Sequence, residues 1–290
     1  ARTDRRYDAS LPISAQHGIR NFTYVENYSA YFETAWRFYI DSPLGFSPPP
    51  GVEADQKYEV YIYQMDAYGV TFPLRIFPNG KASSFIGVRN HYDGFSGNDD
   101  PVPEQGCMKV TAAHEFFHAV QFGIRLGGHD WQWWMEASAT WGEDEVFDGV
   151  NDYRNYLTSW FRKPYLSLDT FDGSHEYGGM VFCKYLAERF GGVKVIRDIW
   201  HRTTATSQLD AIEKVLRSRQ KKRLASANAD DVFSSGFCIS NFLPKEPLWG
   251  YEEGHNYPEI DIFDAHRSYP VAPVSLPLEH LATAYILFEP

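Results

Sequence analysis

Aromatic and apolar positions recur at three- and four-residue steps through residues 24–40, so that Tyr24, Tyr28, Tyr31, Phe32, Ala35, Trp36 and Tyr39 share one face of a helix. Pro48, Pro49 and Pro50 cannot continue it, because proline lacks a backbone donor and fixes φ. The period then shortens. Residues 58–63 (YEVYIY), 69–77 (GVTFPLRIF) and 83–90 (SSFIGVRN) read as strands, with Pro78-Asn79-Gly80 marking the turn between the last two. A polar loop follows at 93–106. From there helical spacing dominates, over 109–126, 131–147, 150–161, 177–190, 193–202 and 207–226, with Gly127-Gly128 and Gly191-Gly192 as stops. AYILF at 284–288 reads as a last strand. These elements predict an α+β fold with a small N-terminal mixed sheet and a mainly helical C-terminal half. The expected divisions are 1–127 with the sheet, 128–235 with the helices, and 236–290 as a Pro- and aromatic-rich tail.

Composition narrows the function classes. The 290 residues can bury a sizeable core without a disulfide or metal to hold the fold. Aromatic residues make up 17% of the chain, which excludes a disordered protein. The formal charge of −11, from 27 basic and 38 acidic residues, argues against a nucleic-acid binder. The basic stretch KVLRSRQKKR, 214–223, reads as the cationic end of a helix that begins with Asp210 and Glu213. No run of about eighteen apolar residues exists, so no membrane span is expected. The opening ARTDRRYDAS has no apolar stretch of the kind a secretion signal carries. Cys107, Cys183 and Cys238 allow one disulfide or none.

The informative motif is HEFFH at 114–118. Residues four apart lie on one helix face, so His114 and His118 can present two imidazole nitrogens to one metal ion. Glu115 stands beside them as a general base for a metal-activated water, and zinc suits that chemistry. The flanking Ala112, Ala113, Phe116, Phe117, Ala119, Val120 and Phe122 predict a buried helix, and buried histidines need partners. Chance alone would place such a motif in about two of a hundred chains of this composition.

One catalytic zinc requires a third protein ligand and an open position. The metzincin pattern fails, since Gln121 and Ile124 stand where its Gly and His would be. A second helix, WWMEASATWGEDE at 133–145, carries Glu136 with Glu143 seven residues on. If it returns past the first helix, Glu136 is the third ligand and Glu143 fixes an imidazole N–H. Glu143 itself, His129 and Asp130 are the alternatives for the third ligand. Asp144 and Glu145 read as a solvated helix end. A calcium ion held by Glu143, Asp144 and Glu145 with Asp148 and Asp152 is conceivable but lacks EF-hand spacing.

HEFFH followed by WMEASATWGE resembles the gluzincins, the clan of thermolysin-like proteases and zinc aminopeptidases, with Trp134, Glu136, Ala139 and Glu143 in the register of the second helix. The aminopeptidase motif GxMEN has no counterpart here. A closer resemblance, over nearly the whole chain, is to an uncharacterised bacterial family of predicted secreted or surface metalloproteases. It rests on YEVYIY, KVTAAHEFFHAVQFG, WWMEASATWGEDEVFD, HEYGGMVFCKYLAERFGG and VFSSGFCISNFL. It implies a zincin-like fold, a secreted, periplasmic or cell-surface location, and hydrolysis of a peptide or protein substrate. Gluzincins steady the oxyanion with a Tyr or His from the helical half. The segment GSHEYGG, 173–179, resembles the aminopeptidase YEKGA segment and makes His175 and Tyr177 candidates. Zincins also bind substrate along a sheet edge, which is expected to be 83–90. The competing readings are a binding or adhesion module with a structural zinc, closed by His129 or Asp130, and a zinc hydrolase acting on a non-peptide substrate.

Overall fold

The computed structural model describes residues 2–3, 22–51, 57–95, 97–220, 236–271, 275–276 and 278–289. Strands β1 (Arg2–Thr3), β2 (Glu59–Tyr63), β3 (Gly69–Ile76) and β4 (Ala82–Arg89) form one sheet in the order β1-β2-β4-β3. β1, β2 and β4 run parallel, and β3 runs antiparallel to β4. Ile86 of β4 pairs with Val60 on one side and Thr71 on the other. β4 is therefore interior, which corrects the expectation that 83–90 forms the edge.

β3 is an edge of this sheet, opposite β1, and its residues account for that. β4 is buried at every position except half-buried Phe85, as a strand covered on both faces must be. β3 instead leaves Pro73, Leu74, Arg75 and Ile76 exposed. Pro73 has no N–H to give a further strand, and the register slips between Pro73 and Arg75.

Helix α1 (Phe22–Trp36) passes into a π-helical turn at Arg37–Asp41 and buries Tyr24, Tyr28, Phe32, Ala35 and Tyr39. α2 (Pro103–Ile124) packs between α1, the sheet and α3 (Gln132–Val146). It begins six residues before the expected start, with Pro103 in the first turn, where a missing N–H costs nothing. It ends as Arg125 turns extended, so Gly127-Gly128 is not its stop. Gly127 serves close packing instead, since a Cβ there would lie 2.9 Å from the Trp131 Cβ.

The remaining helices are α4 (Arg154–Arg162), α5 (His175–Gly178), α6 (Met180–Phe190), α7 (Lys194–Arg202), α8 (Gln208–Gln220) and α9 (Cys238–Phe242). The expected helix 177–190 is thus two helices broken at Gly179. α6 ends at Gly191, whose φ of +113° is the left-handed cap that glycine adopts without strain. Residues 221–226 of the last expected long helix lie outside the described residues. β5 (Asp264–His266) pairs in parallel with β6 (Ile286–Phe288), within the expected strand 284–288.

One continuous cluster of buried side chains runs from Tyr24 to Ile260, through all three expected stretches. Asp144 belongs to this interior. It is 3% exposed and its Oδ2 accepts from Lys184 Nζ at 2.6 Å, which corrects its reading as a solvated helix end. Cys107, Cys183 and Cys238 form no disulfide among the described residues. Among the described residues, no helix is long and apolar enough to cross a membrane.

Candidate metal centre

α2 and α3 face each other across the centre of the molecule, and the polar residues of their contact form one cluster. His114 Nε2 lies 3.0 Å from Glu136 Oε2, and His118 Nε2 lies 3.4 Å from the same oxygen. The two imidazole rings meet edge to face at 4.6 Å, as the i, i+4 spacing on α2 requires. One ligand atom from each of His114, His118 and Glu136 falls within 4.8 Å of the others, so this group could hold a metal ion.

The far sides of both imidazoles are fixed. His114 Nδ1 is 2.6 Å from Glu143 Oε1, one turn pair beyond Glu136 on α3. His118 Nδ1 is 2.8 Å from Gln121 Oε1 on its own helix. Gln121 Nε2 in turn donates to the Met135 carbonyl and the Ser138 hydroxyl of α3, and Ser138 Oγ also accepts from Trp200 Nε1. Both rings are thereby oriented with Nε2 toward Glu136. Histidines that ligate metals are commonly held through the second nitrogen in this manner.

The electrostatics favour a cation. Burial pulls the His114 imidazole down, but Glu136 and Glu143 outweigh it and hold its pKa well above the ordinary value. Burial likewise opposes charge on His118, and Glu136 reverses the effect. Glu136 resists burial through the two imidazoles and is held below the usual carboxylate range. Burial pushes the Glu143 carboxyl up to about 7 despite His114. Glu136 and Glu143 thus converge on the two imidazoles and favour positive charge between them. The nitrogen and carboxylate donors are of the type that zinc accepts.

Glu115 sits on the sheet side of the cluster. Its carboxylate Oε2 and its own backbone carbonyl both lie 2.8 Å from Thr71 Oγ1 on β3. The strand can come this close because Gly69 has no side chain. A Cβ there would lie 2.7 Å from Glu115 Cγ and 2.8 Å from Thr111 Cγ2. Edge strand, base candidate and metal-ligand candidates are therefore one packed unit.

Two chambers open on either side of His114, Glu115 and Tyr177. One, of about 420 Å³, continues past His118 to Phe122, Leu126 and Met135. The other, of about 300 Å³, continues to Thr111, Asp152 and Tyr156. Gly69, at the start of the edge strand, lines both, and Val70 and Thr71 line the larger one.

The structure separates the two residues named in GSHEYGG. Tyr177 lines both chambers, with its ring 6.1 Å from that of His114 and stacked on Tyr156 at 4.8 Å. Burial, with Glu136 nearby, raises its phenol above the ordinary value, so it stays protonated. His175 is a correction. It turns the other way, stacks on Trp160 at 4.4 Å, and lines a separate small cavity with Phe237 and Tyr285. The loop before α5 fixes this: the Glu176 carboxylate accepts from the backbone N–H groups of Asp172, Gly173 and Ser174, and Asp172 accepts that of His175.

Asp130 does not join the metal-ligand group, and the side chain of His129 lies outside the described residues. Among the described residues, no second group of converging donors forms from Glu143, Asp144, Glu145, Asp148 and Asp152, so the calcium reading finds no site. Glu143 is engaged by His114 and Asp144 by Lys184. Gln121 and Thr71 are the contributors that sequence reasoning missed. Gln121 had a signal, a polar residue on the apolar face of the motif helix three places after His118. Comparison with protein-family models and with curated proteins finds no match to this chain.

Proposed function

We propose that the chain is a zinc-dependent endopeptidase of zincin-like, gluzincin-type fold. The observation that carries this reading is the convergence of His114, His118 and Glu136 within 4.8 Å, with Glu115 beside them and an edge strand above. Zinc bound there supplies Lewis acidity to a carbonyl and acidifies water.

The chain's own residues do the rest. β3 offers an edge at Gly69, Val70 and Thr71, ahead of Pro73 and beside the larger chamber, to which an extended peptide adds as a further strand. This places a peptide carbonyl over the cluster. Glu115, oriented by Thr71, accepts the proton of the attacking water and later passes it to the leaving amine. Tyr177, with its phenol protonated, donates a hydrogen bond to the developing oxyanion. Glu143 and Gln121 keep both imidazoles aimed while charge redistributes.

The edge strand favours a peptide over a non-peptide substrate, since main-chain pairing is of use only to an extended backbone. The open chambers favour turnover over a closed structural zinc. The test is zinc titration of the wild-type protein and of His118→Ala, followed by incubation with a peptide library. One zinc per chain, lost in the variant, together with chelator-sensitive cleavage supports the reading. Absence of zinc binding overturns it.

A further inference from the structure

The chamber beyond Glu115 reaches past the residues used in the chemistry above to Asp152, Tyr68 and Tyr156. Glu115, Glu143 and Asp152 face it beside the His114 imidazole, and no lysine or arginine does. Glu143 is engaged by His114 and Glu115 by Thr71. The Asp152 carboxyl is held by the Asn155 and Asn98 side chains, but not at both of its oxygens.

Asp152 is 5% exposed, and its Oδ1 has no hydrogen-bond partner. A buried carboxylate oxygen without a donor is costly unless something supplies one. The fold nevertheless presents it. Asn151, at φ +59°, adopts the left-handed conformation that asparagine tolerates and turns the chain into α4. The Asn151 side chain is tied to Asp99 at 3.0 Å, and the Asn155 amide donates to the Asp152 carbonyl at 2.8 Å. The backbone on both sides of Asp152 is thus held. Burial pushes the Asp152 carboxyl up to about 6, against the pull of Asn155 and Asn98, so it is largely ionised at neutral pH.

The remaining walls suit a long cationic side chain. Tyr68, Tyr156 and Tyr177 supply aromatic surface for a methylene stem and π faces for its charged head. The volume, about 300 Å³, accommodates such a side chain. The chamber opens beside His114 and Glu115, so its occupant belongs to a residue next to the bond that would be cleaved.

We infer that this chamber is a specificity subsite for lysine or arginine and that Asp152 is its charge-reading residue. This rests on the peptidase reading for its place in a reaction, but the binding preference can be measured apart from hydrolysis. The experiment titrates Nα-acetyl-arginine methylamide and its norleucine counterpart into the zinc-loaded wild-type protein, Asp152→Asn and Asp152→Glu, by calorimetry. A peptide library is profiled in parallel, and thermal melts report folding.

The arginine derivative is expected to bind at least tenfold more tightly than the norleucine one. Asp152→Asn removes that difference and Asp152→Glu retains most of it. Lysine and arginine are enriched at one position beside the cleaved bond. Equal binding of the two derivatives by the wild type overturns the inference, as does a difference that survives in Asp152→Asn. Selective binding without cleavage leaves the subsite standing and removes the peptidase reading. Cleavage with no basic preference does the reverse. If Asp152→Asn fails to fold, the wild-type comparison and Asp152→Glu still decide the matter.

Discussion

Thr71 Oγ1 lies 2.8 Å from Glu115 Oε2, although 44 residues separate them in the chain. The contact joins the edge strand to the motif helix and fixes the rotamer of the proposed base. Thr71→Val keeps the shape and removes the hydroxyl. The expected result is a fall in kcat of about tenfold to a hundredfold with KM little changed, part of the roughly 10²–10⁴-fold that a positioned base contributes. Zinc content should equal that of the wild type. Steady-state kinetics with metal analysis checks this.

The outward nitrogens of the two histidines give a second prediction. Glu143→Ala and Gln121→Ala leave His114, His118 and Glu136 in place but free a ring to rotate. Zinc affinity should fall by about 10- to 100-fold in each, the usual effect of losing such a partner. Competition with a chelator of known affinity measures it. Unchanged affinity in both would show that the rings are held by packing alone.

Gly69 sets how closely strand and helix approach. Gly69→Ala places a methyl 2.7 Å from Glu115 Cγ and 3.1 Å from Glu115 Oε1. β3 must move away or the Glu115 side chain must turn. The expected cost is about 1–3 kcal/mol of stability, as for other overpacked sites. Activity should fall more than zinc binding does. Thermal denaturation and zinc titration separate the two effects.

His175 carries a pH prediction. Burial beside Trp160 pulls its imidazole down to about 4, whereas the unfolded side chain titrates near 6.5. Between those values the unfolded chain binds a proton that the folded chain does not, so stability falls as pH falls from about 6.5 to about 4. The shift corresponds to about 3 kcal/mol when complete. His175→Phe preserves the stack on Trp160 and removes the titration. Its loss of stability between pH 6.5 and 4, measured by denaturant titration, should be smaller than that of the wild type by about that amount.

Much of the candidate site was legible because it depends on helical spacing. The four-residue step fixes His114 and His118 on one face, and the seven-residue step from Glu136 to Glu143 fixes the second helix in the same way. Sheet order is not a local property, and there the reading of 83–90 as the edge failed. The correct signal was Pro73 within GVTFPLRIF, a residue that cannot serve a central strand. Thr71 was illegible for the same reason, since its partner is known only once β3 is placed. His175 was misplaced because the direction of its side chain is set by Glu176 and Asp172 gathering the backbone N–H groups of a loop, which no periodicity encodes.

The central claim is that Glu115 acts as the base beside a metal held by other residues. Glu115→Gln tests it most directly, since the amide keeps the size of the side chain and cannot accept the proton. The variant and the wild type are loaded with zinc, their metal content is measured, and each is given the same peptide library. One zinc per chain is expected in both, with cleavage by the wild type alone. Cleavage by zinc-loaded Glu115→Gln at the wild-type rate would contradict the claim.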